Sequence, residues 1–516
     1  MQTNSFIILK LISFFSVLNR YFENSLFYRF LLAVKTAIKG SRIINFVHSL
    51  FLARPKRDYY GGSLLLKILL VVFSFTAVVV KGVFNFFYRA YKTSIIKKII
   101  DFFLNLKAIN GSLPYKILSR LDILMAVFIL GMLIVPNDFW NNMYIAIAAV
   151  FFGGYYALSW ILKKQEGLKM RYVAPSLIIF VGFLIISLFT GYGDMDSVRV
   201  FVISFACISF AVLLPHIIKD KKTLDMFILM IFIGITISAL FGLYQFAMGI
   251  EVRADFTDLT HSAGLARLFS TMANPNNDAK VWVMLIPYCV AYLLLSKNDL
   301  KKVILAGMLG ICVLALVLTY SRSGYLAIVA GMAVFVILVA PRLVPIGIIL
   351  AVIAIPFLPS SVTDRVLTIG QDTSSRYRMM IWEGTFRMNR DYWISGIGMG
   401  PSAFTRIYRV YSHPSAGNAM HTHNVFLNVL AEAGVGALLA FVAYFIRILK
   451  EGVSSVYKAN SVNIKFFAAA GIASLTGFFM FAMVEYVWFY PRVMLTFFIS
   501  MGLVHSIYRI NREASQ

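Results

Sequence analysis

Apolar residues run along the chain in long blocks parted by short polar breaks. From residue 121 onward, twelve blocks come near the roughly 20 residues that a helix needs to cross a bilayer. They fall at about 121–136, 143–162, 173–190, 198–218, 224–249, 279–296, 303–319, 325–340, 343–358, 424–446, 464–484 and 492–508. This pattern predicts an all-α polytopic membrane protein with about twelve transmembrane helices. One break is out of scale. Residues 359–423, between the ninth and tenth blocks, predict a large loop, and long loops on rigid scaffolds are where function concentrates. Within it, the Trp/Met/Phe spacing across 379–388 predicts an amphipathic helix lying against the membrane.

The first 120 residues follow a different pattern. Apolar positions recur at helical spacing, as in FIILKLISFFSVL (6–18) and SIIKKIIDFFLNL (94–106), among 18 Lys/Arg and only Glu23, Asp58 and Asp101 as acids. They predict amphipathic helices on an anionic inner leaflet. The stretch LLLKILLVVFSFTAVVV (64–80) is apolar enough to span. A single crossing there would move the basic residues before it outside, against the positive-inside bias, so a surface or re-entrant segment is preferred. No cleavable signal peptide is evident. The expected organisation is a basic membrane-surface segment, 1–120, followed by a polytopic domain, 121–510.

Composition sharpens this picture. Of 516 residues, 60% are hydrophobic and only 14% charged, against about 25% in soluble domains. That excludes a soluble globular fold and a disordered chain. A net charge of +25 would suggest nucleic acid in a soluble protein. Here it sorts by membrane side instead, and no nucleic-acid partner is expected. With the segment before the first span in the cytoplasm, the inner loops carry KKQEGLKMR (163–171), KDKK (219–222), KNDLKK (297–302), Arg342, and Arg447, Lys450, Lys458 and Lys465. The opposite short loops, 137–142 and 191–197, carry no Lys or Arg. Both termini are therefore expected inside. Cys207, Cys289 and Cys312 lie in apolar runs and read as small buried hydrophobes.

On that topology the outer basic residues are Arg199, Arg253, Arg267, Lys280, Arg322, Arg365, Arg376, Arg378, Arg387, Arg390, Arg406, Arg409 and Arg492. Solvation alone does not call for Arg over Lys, whereas bidentate recognition of phosphate or carboxylate does. Pairing with acids of the same loops is the plainer account of most of them singly. Arg322, in TYSRSGYL (319–326), sits in a tight outer turn at headgroup depth, where snorkelling would be served equally by Lys. His261, His413, His421 and His423 also fall outside. The H-x-H pair 421/423 has no third ligand at a diagnostic spacing, so no metal site is expected. A histidine there suits a general base, since it titrates near neutral pH. Glu432 lies nine residues into the tenth span, about 13 Å below His423 at 1.5 Å per residue. Glu485 lies near the outer end of the eleventh. The G-I-G-M-G run (396–400) follows no strand–helix unit and reads as a turn more than a phosphate loop.

The run HTHNVFLNVLAEAGVGALLAFVAYF (421–445) resembles the H-x-H-N…L…E-x-G-x-x-G signature of the O-antigen ligase and polysaccharide polymerase superfamily. RLFSTMANPNNDAKVWVMLIP (267–287), TYSRSGYLA (319–327) and SSRYRMMIWEGTF…GIGMGPSAF (374–404) fit its pattern in order. The resemblance covers roughly 120–510 and leaves the basic N-terminal segment outside it. It implies a multi-span lipid-carrier glycosyltransferase of a bacterial cytoplasmic membrane. Such an enzyme moves a glycan from a polyprenyl-diphosphate carrier to a glycan, lipid, wall-polymer or protein acceptor on the outer face, with no metal or cofactor. By resemblance His423 is the base. Arg322 and either Arg376 or Arg378 hold the diphosphate, and His421, Arg267 and Glu432 are lesser candidates. A single displacement would invert the anomeric centre. The alternative is a transporter or flippase for a lipid-linked or anionic substrate, but no two-fold repeat or paired broken helices are found.

Overall fold

A computed structural model describes residues 120–161, 172–250, 267–344 and 373–515, together with Ser94, Ile95 and Lys98. The amphipathic stretches before residue 120, the stretch 64–80, His261 and almost all of the ninth block lie outside the described residues. Among these residues the chain is helical throughout, and the other eleven blocks are all helices. They are α1 (Leu121–Ile134), α2 (Met143–Ile161), α3 (Pro175–Thr190), α4 (Met195–Ile217), α5 (Lys221–Ala247), α6 (Pro275–Leu295), α7 (Asp299–Leu318), α8 (Arg322–Val339), α11 (Val425–Tyr457), α12 (Val462–Ala482) and α13 (Pro491–Glu513). Eight are long and apolar enough to cross a membrane, and three are shorter.

Polar residues set where the helices begin. Asp194, Asp220, Asn274, Asn298, Ser321, Asn424 and Ser461 each accept a backbone N–H from the first turn of α4, α5, α6, α7, α8, α11 and α12. Proline takes the opening position of α3, α6 and α13, where its missing N–H costs nothing. Packing then separates centre from periphery. The apolar window of α13 is 89% buried and those of α6 and α12 are 72% buried, whereas α7 and α8 bury only 22%. The inner helices carry small residues that let backbones approach, as in the AAAGIASLTG run of α12.

The large loop contains two further helices, α9 (Thr373–Tyr392) and α10 (Gly400–Tyr411). The sequence predicts α9 but not α10. The apolar residues of α9 divide between two faces: Met379 and Phe386 are exposed, and others turn inward. Ile381 and Met388 pack with Phe404 and Tyr408 of α10, Ala416, Ala419 and Ala431 into a small core of their own.

This cap is bolted to α11 at a break in that helix. Gly434 has φ 77° and interrupts the helical geometry. The Gly-rich run 396–400 docks there: Ile397 N donates to Ala431 O at 2.8 Å, Gly398 N to Glu432 O at 3.1 Å, and Gly400 N to the Glu432 carboxylate at 3.0 Å. A β-carbon on Gly434 would stand 2.0 Å from Ile394 O, and one on Gly396 2.3 Å from Glu432 O. The glycines thus serve backbone contact, and the run is a turn.

Candidate functional site

The starts of α6, α8, α11 and α13 and the end of α12 meet at the end of the bundle that carries the cap. The H-T-H-N segment enters α11 there under close control. Trp382 Nε1 donates to Thr422 O at 2.8 Å, Thr422 N to Asn428 Oδ1 at 3.1 Å, and Asn424 Nδ2 to Met483 O at 2.9 Å. His423 is held at φ 50°, a left-handed conformation that costs a non-glycine residue roughly 1–2 kcal/mol. Such strain persists only where surrounding contacts over-determine it, and it marks functional positions.

His423 Nδ1 lies 3.3 Å from Glu485 Oε2, on the connector between α12 and α13. The other carboxylate oxygen, Oε1, accepts from Arg378 Nη2 of α9 at 2.5 Å. Lys280 of α6 stands 4.0 Å from Oε2. Glu485 is thus shared by a histidine and two cations from three separate elements. Burial opposes its charge, but Arg378, Lys280 and His423 outweigh that and hold its carboxyl well below the usual carboxylate range. A proton on Nδ1 of His423 would be held by that carboxylate, which fixes the orientation of the ring.

His421 lies behind His423, with ring centroids 4.2 Å apart, and packs on Phe489 at 4.6 Å. Burial, and then the nearby His423, Lys280 and Arg378, push it down to about 3. It is neutral at working pH, and its Nδ1 accepts the His423 backbone N–H at 3.2 Å. That makes His421 a support for the left-handed turn.

The other expected residues fall in distinct places. Arg322 opens α8 next to α6: a β-carbon on Gly324 would lie 3.2 Å from that of Ala279. Arg376, one turn before the cap's buried face begins, is exposed, whereas Arg378 is part-buried and engaged. Arg267 spans two elements, giving Nε to Thr319 O at 2.9 Å and Nη2 to Asn276 Oδ1 at 3.0 Å. Glu432 anchors α10 through Gly400 and accepts from Tyr486 OH at 3.4 Å. Other arginines have protein partners, and of these only Arg387 pairs with an acid of its own loop. Arg387 pairs with Glu383, Arg406 with Asp194, and buried Arg492 binds Val135 O and Thr271 O. Sequence reasoning gave no role to Glu485 or Lys280. The only signals were a lone acid at a span end and a lone lysine among arginines. Among the described residues, no group of three His, Cys, Asp or Glu side chains is placed to hold a metal ion.

Fold and site together define a multi-span membrane protein with a charged, histidine-bearing site under a helical cap. Residues 282–442 match the family model described as O-Antigen ligase. That bears out the resemblance over this stretch and supports membrane glycan transfer as the general function. The matched stretch contains Arg322, Arg376, Arg378, His421, His423 and Glu432, and leaves out Arg267, Lys280 and Glu485. No match is found among curated proteins.

Proposed function

We propose that the chain transfers a glycan from a polyprenyl-diphosphate carrier to an acceptor hydroxyl at the outer face of a bacterial cytoplasmic membrane, without a metal. The observation that carries this reading is the meeting of His423, Glu485 and Arg378 at one end of the bundle. The acceptor oxygen attacks the anomeric carbon, and the bond from that carbon to the diphosphate oxygen breaks. The hydroxyl proton passes to His423 Nε2, while Glu485 steadies the ring and the imidazolium it becomes. Negative charge gathers on the departing diphosphate, where Arg378 and Arg322 supply fork-shaped charged donors. The start of α8 adds the positive end of a helix dipole beside Arg322. One displacement inverts the anomeric centre.

Arg378 is preferred over Arg376 as the loop arginine because it is drawn into the cluster while Arg376 faces outward. The test is transfer from a polyprenyl-diphosphate-linked glycan in liposomes. His423→Ala and Arg378→Gln should each lower turnover by at least about 10²-fold, the size typical of one acid–base or charge-stabilising group. EDTA should change nothing. Full activity in His423→Ala, with the variant folded and inserted, would remove the general base.

A further inference from the structure

Lys280 stands apart from the other cations of the cluster. It lies outside the stretch that matches the family model, and the resemblance gives it no role. Its side chain is 3% exposed. An ammonium carries three donors. Nζ gives one to Asn277 Oδ1 at 3.2 Å, stands beyond hydrogen-bond reach of Glu485 at 4.0 Å, and lies 5.5 Å from the ring centroid of Tyr490. Across the same carboxylate, Arg378 gives Nη2 to Glu485, while its Nε is buried with no hydrogen-bond partner. Each of the two side chains therefore keeps donor capacity beside the same carboxylate.

The charges do not balance either. One carboxylate faces two basic side chains, Arg378 and Lys280, and His421 is held neutral. Removing an ion from water without compensation is unfavourable. A ligand with several anionic oxygens would meet both deficits, filling the open donors and cancelling the excess charge. We infer that Lys280 is a binding residue for the donor's diphosphate, taking one phosphate oxygen while Arg378 takes another, with Glu485 setting the gap between them. This rests on the reading under Proposed function.

The test uses the full-length protein in detergent, with inorganic pyrophosphate, a polyprenyl diphosphate and phosphatidylglycerol as separate probes read by thermal protection. Pyrophosphate and the polyprenyl diphosphate should both protect the wild type. Lys280→Met should weaken both by about tenfold or more, the size of one charge-assisted hydrogen bond, and raise KM for the donor more than it lowers kcat. Asn277→Asp supplies a second test if Lys280→Met does not fold. It places an anion against Nζ, so it should steady the ligand-free protein and still weaken pyrophosphate binding. Wild-type pyrophosphate affinity in Lys280→Met or Asn277→Asp would reduce Lys280 to a counter-ion of Glu485 and overturn the inference. Equal protection by phosphatidylglycerol would do the same, since any anionic headgroup would then serve. A wild type that no diphosphate protects, with Arg378→Gln equally unresponsive, would sink the donor reading itself.

Discussion

His421 and His423 are two residues apart and hold opposite positions in the site. His423 is 26% exposed at the side chain and faces an ionised carboxylate, whereas His421 is enclosed by Tyr486 and Phe489. The enclosure has a measurable consequence. His421 drops to about 3 in the folded chain from an ordinary value near 6.5, and Glu485 also lies below its ordinary 4.5. Both groups bind fewer protons folded than unfolded, so stability must fall as pH falls. The loss begins below about 6.5 through His421 and grows below about 4.5 through Glu485, approaching 1.4 kcal/mol per pH unit for each proton. Thermal unfolding in detergent from pH 7.5 to 5 should therefore show a falling Tm. His421→Gln keeps an acceptor for the His423 N–H but does not titrate, and it should flatten that slope. An unchanged slope in the variant would mean that His421 is not held neutral.

Among the elements, α11 matters most because it is broken where the cap docks. Its first nine residues lead down from His423 to Gly434, and the bond pattern of 396–400 completes the gap. The cap's position, and with it that of Arg378, depends on this junction. Gly434→Ala would press a β-carbon to 2.0 Å from Ile394 O at a positive φ. We expect it to cost about 2–4 kcal/mol and to detach the cap, seen as a lower Tm and as faster proteolysis within 393–411. Gly307, in α7, has nothing within 4 Å of its absent β-carbon. Gly307→Ala should cost nothing and is the control for helix propensity. Equal Tm in the two variants would show that the break does not hold the cap.

For the whole molecule the arrangement makes a statement about sidedness. The cap, His421, His423 and the first turns of α6, α8, α11 and α13 share one end, so Val410 (81% exposed, on α10) and Tyr457 (60% exposed, at the end of α11) belong to opposite ends. With the cap facing outward, a membrane-impermeant maleimide should label Val410→Cys in intact cells and Tyr457→Cys only after permeabilisation. The three native cysteines are buried and free and should give little background. The reverse labelling pattern would invert the topology and place the site on the wrong side for an outer-face acceptor.

Length of apolar blocks was enough to draw eleven of the helices, because the bilayer demands about 20 apolar residues. The H-T-H-N segment and Arg322 were legible as candidates from residue type and depth, whereas the pair Arg376/Arg378 came from the family resemblance. Three things needed the tertiary structure. The sequence does not say which apolar residues of α9 turn inward, and only the presence of α10 shows that Ile381 and Met388 do while Met379 and Phe386 stay exposed. Arg376 and Arg378 differ by a rotation of about 200° around one helix, so only packing shows which of them reaches Glu485. Glu485 and Lys280 are separated by some two hundred residues. Neither belongs to a local pattern, and a charge cluster assembled from α6, α9, the entry of α11 and the connector before α13 exists only once those four pieces of chain have been brought together.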